Sequence, residues 1–306
     1  MQNFTTTDVA VLALELIPAA AFGLAGERVA RAAGRLPRLL RIVLPAFFVL
    51  PYVLISITHQ TFLWRWFAFY ALLPVAIAWL LDRAAAADPE QHGNWREAII
   101  LLVLGLAVDL RWLEGLWPRG LAGLGKLLLV DGSLYGFVVI RQLRGTGFDF
   151  HLHWSDWKSG LRELALFAPL VIALGLALGF LHPHAHLLQP SMLLTWVYIF
   201  IFIAVPEELF FRAWVQNLLE NRLRFWLDSR VGPRAPRMAR MMALVMTSIL
   251  FGLSHFNKRS AQFNWRYVIL ATIAGIFYGR AWREHRRVPA SSITHASVDA
   301  IWSLWF

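Results

Sequence analysis

Apolar runs of about twenty residues recur along this chain, and a helix needs about that many to cross the hydrocarbon of a bilayer. Roughly ten runs can be marked on that criterion. They centre on Val9–Leu24, Leu39–Ile57, Trp66–Leu81, Ala98–Leu110, Leu121–Ile140, Leu164–Leu181, Met192–Val215, Met241–His255, Tyr267–Trp282 and Ser292–Phe306. Strands are a poor alternative, because an open sheet edge leaves backbone groups unsatisfied in lipid. The expected fold is therefore all-α, a polytopic transmembrane helical bundle. Composition agrees: 58% of residues are hydrophobic and 16% are charged, against about 45–50% and 25% in soluble domains. The 15 tryptophans read mostly as interface anchors and packing, because an indole satisfies its ring and its N–H together at the membrane surface.

The formal charge of +10 comes almost entirely from Arg in short connectors: Arg28 to Arg41, Arg141 to Arg162, Arg222 to Arg240, and Arg283 to Arg287. With ten spans all four connectors fall on one side, which the positive-inside rule makes cytoplasmic, with both termini outside. Lys258, Arg259 and Arg266 fall on the other side. Nucleic-acid binding needs a basic face on a soluble module, and the sequence offers none; the partner implied is the lipid bilayer. There is no cysteine, so disulfides and thiolate chemistry are excluded. The run Val9–Leu24 has no basic stretch before it and no cleavage site after it, so it reads as a spanning helix, although it carries Glu15 and Pro18. The expected location is an integral, multi-pass protein of a bacterial inner membrane.

An ionisable side chain inside a span costs upward of about 2.5 kcal/mol, so each one is a functional hypothesis. The strongest case is Val205-Pro206-Glu207-Glu208-Leu209-Phe210-Phe211-Arg212, which interrupts an apolar stretch from Met192 to Leu219. Neighbours on a helix point about 100° apart, so the two acids cannot share one partner. Glu208 and Arg212 stand at i and i+4, the spacing of a facing ion pair. Glu207 is left without a local countercharge, which suits a carboxylate that takes a proton from water. Pro206 is expected to loosen the helix just before it. Further on, Phe251 and His255 share one helical face at the end of an apolar run. His295 and Asp299 are again i and i+4. Taken singly, His255 reads as a satisfied core histidine and His295–Asp299 as a structural hydrogen bond.

Together the three sites resemble the CPBP family of intramembrane proteases, also called the Abi or type II CAAX prenyl endopeptidase family. Its pattern is E-E-x-x-x-R, then F-x-x-x-H, then a helix with His or Asn and a further polar residue one turn later. Those positions are Glu207, Glu208 and Arg212; Phe251 and His255; His295 and Asp299. Ala213 stands where Gly is common, and Asp299 where Asn is frequent. The resemblance implies an intramembrane endopeptidase acting on a membrane-associated protein or peptide without a cofactor. It implies that Glu207 and His255 hold and deprotonate the attacking water. It also implies that His295, with Asp299, stabilises the oxyanion, while Arg212 holds Glu208. It covers roughly Leu164 to the end, so residues 1–160 are expected to be structural helices and 161–306 the protease core. Two rival readings stay open. One is a zinc-dependent protease using His255, His295 and a carboxylate. The other is a non-catalytic immunity or scaffold protein of the same fold.

Other polar residues are expected to be bland. His182, His184 and His186 read as an interfacial loop, and Ser254 lacks the surroundings of a nucleophile. Lys126 and Asp131 are expected to snorkel or pair near a span end, and the first five spans to hold few buried polar groups.

Overall fold

Capping chemistry sets several helix starts. Thr5 and Asp8 form a reciprocal capping box, as do Asn94 with Glu97 and His153 with Asp156. The computed structural model describes residues 5–110, 112, 117, 122–184, 189–258 and 263–306. Every regular element among them is helical. In chain order the helical runs are α1 (Thr6–Gly34), α2 (Arg38–Thr58), α3 (Trp64–Ala87), α4 (Trp95–Asp109), α5 (122–140), α6 (Trp154–Ala177), α7 (191–231), α8 (Ala235–Leu253), α9 (Trp265–His285) and α10 (Val288–Trp305). By length and composition, six stretches qualify as membrane spans: α1, α2, α3, Gly123–Ile140 in α5, α6, and Ser191–Leu253, which takes in α7 and α8. The chain is an integral membrane protein.

The chain divides into two compact units, Met1–Arg144 and Gly145–Phe306. In the first, Tyr52, Ile55, Leu81, Leu134 and Phe137 form part of a fully buried core. Its helices nevertheless enclose more charge than their apolar sequences announce. Glu15 and Asp131 are each 1% exposed. Arg141 is buried against Glu97, with Nε to Oε1 at 2.5 Å, and reaches Asp88 at 3.0 Å. This corrects the expectation of few buried polar groups in the first five spans, and that of a snorkelling Asp131. A single acid in an apolar run does not reveal which side of its helix faces the bundle.

The second unit holds α6 to α10. Its aromatic core contains Phe167, Phe211, Phe251 and Tyr278. α9 carries Gly275 and Gly279 four residues apart, a small-residue face that lets helices approach closely in lipid. A Cβ on Gly275 would stand 3.0 Å from Ser248 Cα of α8, and one on Gly279 would stand 2.7 Å from Gln216 Oε1 of α7. On the α6 side, Thr294 Oγ1 of α10 donates to the Gly160 carbonyl at 2.9 Å. α10 opens with Pro289 in its first turn, where the missing N–H costs nothing. Its residues Val288 to Ala296 are all buried, so it begins inside the bundle rather than at the surface. Arg287 clamps that start, with Nε 2.7 Å from Asp156 Oδ1 and Nη1 2.9 Å from Asp149 Oδ2. Burial raises the Asp149 carboxyl, but donation from the His151 backbone and from Arg287 outweighs it and holds the group at about 2.

Candidate active site

α7 does not keep one helical pitch. Ser191–Ile199 is α-helical, Phe200–Ala204 is π-helical, Val205–Glu208 is one α-turn, and Leu209–Gln216 is π-helical again. Proline lacks an N–H and crowds the turn before it, and Pro206 lies in the short α-turn between the two widened stretches. π-helical turns are rare and recur at functional sites. The two acids sit on that turn and point different ways.

Glu208 faces inward and is 0% exposed. Its Oε2 accepts from Arg212 Nε at 2.8 Å. Its Oε1 lies 2.9 Å from His295 Nδ1, which places the donated proton on Nδ1. Arg212 is equally buried, reaches Gln216 Oε1 at 3.5 Å, and lies over the Phe251 ring at 5.4 Å from its centroid. His295 stacks on Tyr278, with centroids 4.6 Å apart and rings within 15°. Its other nitrogen, Nε2, faces Asp299 Oδ2 at 3.6 Å and Glu207 Oε2 at 3.9 Å. His295 thus stands between carboxylates at both ends of its ring.

Glu207 turns toward the open side, its side chain 29% exposed. His255 lies just past the end of α8. Its Nδ1 is 2.8 Å from the Phe251 carbonyl, which accepts and so leaves Nε2 as the acceptor. Between the two sits Lys258. Its Nζ is 3.6 Å from Glu207 Oε1 and 3.3 Å from His255 Nε2. Those separations bound Glu207 Oε1 to His255 Nε2 at about 6.9 Å. Glu207 therefore has a countercharge after all, supplied by the turn after α8 rather than by its own helix. This corrects the expectation of an acid without one. The signal was present in sequence only as the spacing of His255 and Lys258, three residues apart in a polar turn.

The structure brings Glu207, Glu208, Arg212, His255, His295 and Asp299 around one place, with the Phe251 ring touching Arg212, His255 and His295. Beside it an apolar cavity runs between α6, α9 and α10, lined by Phe167, Val171, Tyr267 and Trp302, with His255, His295 and Asp299 at its polar end. Zinc would need about three ligands converging beside an open fourth position. Among the described residues no such group of His or carboxylate side chains exists. His255 Nε2 meets an ammonium, and Glu208 is taken by Arg212 and His295, so the donor set does not fit that metal. Ser254 Oγ donates to the Phe251 carbonyl at 2.8 Å and lies 3.1 Å from His255 Nδ1. His184 lies far along the loop, against Trp305, with its N–H 3.0 Å from that carbonyl; His186 lies outside the described residues.

An integral helical protein with a buried Glu–Arg–His constellation and a more exposed Glu–His pair beside it has the makings of an intramembrane hydrolase. Residues 188–301 match the family model described as type II CAAX prenyl endopeptidase Rce1-like. The matched stretch contains all seven motif residues from Glu207 to Asp299, so the family read from the motifs is the family found. No curated protein and no solved structure matches the chain.

Proposed function

We propose that this chain is a CAAX-type intramembrane endopeptidase that hydrolyses a peptide bond of a membrane-associated protein with water activated by Glu207. The family match supports a peptidase of this general kind. The observation that carries the mechanism is the division of labour between neighbouring acids. Glu208 is sealed by Arg212 and His295, while Glu207 is partly open and linked to His255 through Lys258. Peptide hydrolysis needs an activated water, a proton acceptor and an oxyanion donor. Water held beside Lys258 by Glu207 and His255 gives its proton to Glu207 as it attacks the carbonyl carbon. His295, flanked by the carboxylates of Glu208, Asp299 and Glu207, carries a proton on each ring nitrogen; Nδ1 donates to Glu208, and Nε2 donates to the oxyanion. The proton on Glu207 then passes to the leaving amine. The step consumes one water and needs no cofactor.

The apolar cavity ending at His255 and His295 supports a membrane-embedded or lipid-bearing substrate, either a membrane-proximal tail or a short transmembrane segment. The unit Met1–Arg144 serves as the structural helices and Gly145–Phe306 holds the protease core. The ten helical runs support ten membrane passages in a bacterial inner membrane. The zinc protease is the weaker reading, because the ammonium of Lys258 lies against both Glu207 and His255. An immunity or scaffold role gives no reason for a sealed Glu–Arg–His set.

Purified protein in proteoliposomes, offered membrane-anchored peptides, tests the reading by product mass. The expected products sum to the substrate plus one water. They should persist after a zinc chelator and vanish in Glu207→Gln. Loss on chelation with recovery on added zinc would favour the metal reading instead.

A further inference from the structure

A second cavity opens in the same unit, away from the hydrolytic residues, between α6, α8 and α9. Arg162, Arg280 and Arg283 line it together with Glu163 and Glu284, over an apolar floor of Leu244 and Ile276. Two of the three guanidinium groups already have carboxylates. Glu163, fully buried, lies 2.7 Å from Arg162 Nη2 and 2.9 Å from Arg280 Nε. Glu284 accepts from Arg162 at 3.0 and 2.8 Å and from Ser159 at 2.6 Å. Arg283 is left over. Among the described residues its guanidinium makes no ion pair, and Arg240, Arg280 and Arg286 crowd it with like charge against the attraction of Glu220.

The cavity therefore carries one more positive charge than its own acids answer. Its floor continues into an exposed apolar stripe. Met241, which also lines the cavity, is 52% exposed, and Val245 and Ile249 below it are 43% and 46% exposed. Residues four apart on a helix lie on one face, so the three form an apolar track leading away from the arginines. We propose that this cavity binds an anionic phospholipid, its phosphate on Arg283 and Arg280 and an acyl chain along Met241, Val245 and Ile249. A phosphodiester brings the one negative charge that is missing. Basic pockets between spanning helices suit such headgroups, and the half-exposed Arg280 side chain leaves the entrance open.

Native mass spectrometry of the whole protein tests this with three probes: phosphatidylglycerol, phosphatidylcholine and glycerol phosphate. Phosphatidylglycerol should bind at least about fivefold more tightly than phosphatidylcholine, the size of one basic contact at a membrane surface. Arg283→Gln should erase that preference and Arg283→Lys should keep it; if the Gln variant fails to fold, the Lys variant and the lipid comparison carry the test. Equal binding of the two lipids, or an unchanged preference in Arg283→Gln, would overturn the proposal. So would glycerol phosphate binding as tightly as phosphatidylglycerol, which would make the cavity a soluble-phosphate site.

Discussion

Glu207 and Glu208 differ by one position and by almost everything in their surroundings, because successive helical side chains point about 100° apart. Glu208 is locked between Arg212 and His295 with no exposure. Glu208→Gln strands Arg212 as a buried unpaired charge, which costs about 3–5 kcal/mol. Thermal unfolding in detergent should show that loss, and Glu208→Gln combined with Arg212→Met should recover part of it. A Glu208→Gln protein as stable as wild type but inactive would exchange the roles of the two acids. Lys258 behaves differently. Its side chain is 38% exposed and its partner Glu207 is 29% exposed, and such pairs are worth about 0–1 kcal/mol. Lys258→Met should therefore unfold within about that margin of wild type, and it should still turn over, since an ammonium is not a proton acceptor. Loss of turnover as complete as in Glu207→Gln would place Lys258 among the reacting groups. The i to i+4 pairs Glu208–Arg212 and His295–Asp299 were legible in sequence, because helical geometry alone brings them together. Lys258 was not: it follows the end of α8, where no periodicity says which way a side chain turns, and in sequence it reads only as a charge on the wrong side.

The helices that carry these residues are held by close backbone approach as well as by the aromatic core. Gly252, three residues before His255, faces α9 so tightly that a Cβ would collide with Thr272 Oγ1 and stand 2.6 Å from the Val268 carbonyl. Gly252→Ala must push α8 off α9 and carry His255 with it. Overpacking of this kind costs about 1–3 kcal/mol, and hydrolysis should fall alongside the melting temperature. An Ala variant with unchanged stability and rate would show that the contact does not position His255. Each of the ten apolar runs marked in sequence overlaps a helical run over most of its described length, since hydrophobic length reads directly as helix in a bilayer, although Leu178 to Leu181, Ser254 and His255 lie past helix ends. The two π-helical stretches of α7 were not visible beforehand. Pro206 announced a disturbance, but its form depends on packing around Glu208 and Arg212.

For the whole molecule, the divide falls at Arg144 and Gly145, ahead of the expected one at residue 160. In sequence the polar segment from Gly145 to Gly160 reads as an interface stretch that loosely divides the chain. In the structure it belongs to the second unit, because Asp149 and Asp156 bind Arg287 and the Gly147 carbonyl accepts from Val288 at 2.8 Å. Passage through the bilayer follows from the same connectors. Arg286 reaches Glu220 at 2.5 Å and Arg162 reaches Glu284 at 2.8 Å, so the basic ends of α6, α7 and α9 lie together. Reporter tags at Gly145 and Gly232 should both read cytoplasm, and one at Gln189 should read outside. Opposite readings at Gly145 and Gly232 would break the ten-passage topology.

The claim that Glu207 activates the hydrolytic water is tested most directly by comparing the termini of membrane proteins in cells that make wild type with those in cells that make Glu207→Gln at equal level. The substitution keeps the shape and removes a base worth about 10²–10⁴-fold in rate. At least one membrane-associated protein should be shortened in the first cells and full length in the second, with both forms of the enzyme equally stable. Identical termini in both, or shortening that persists with Glu207→Gln, would contradict it.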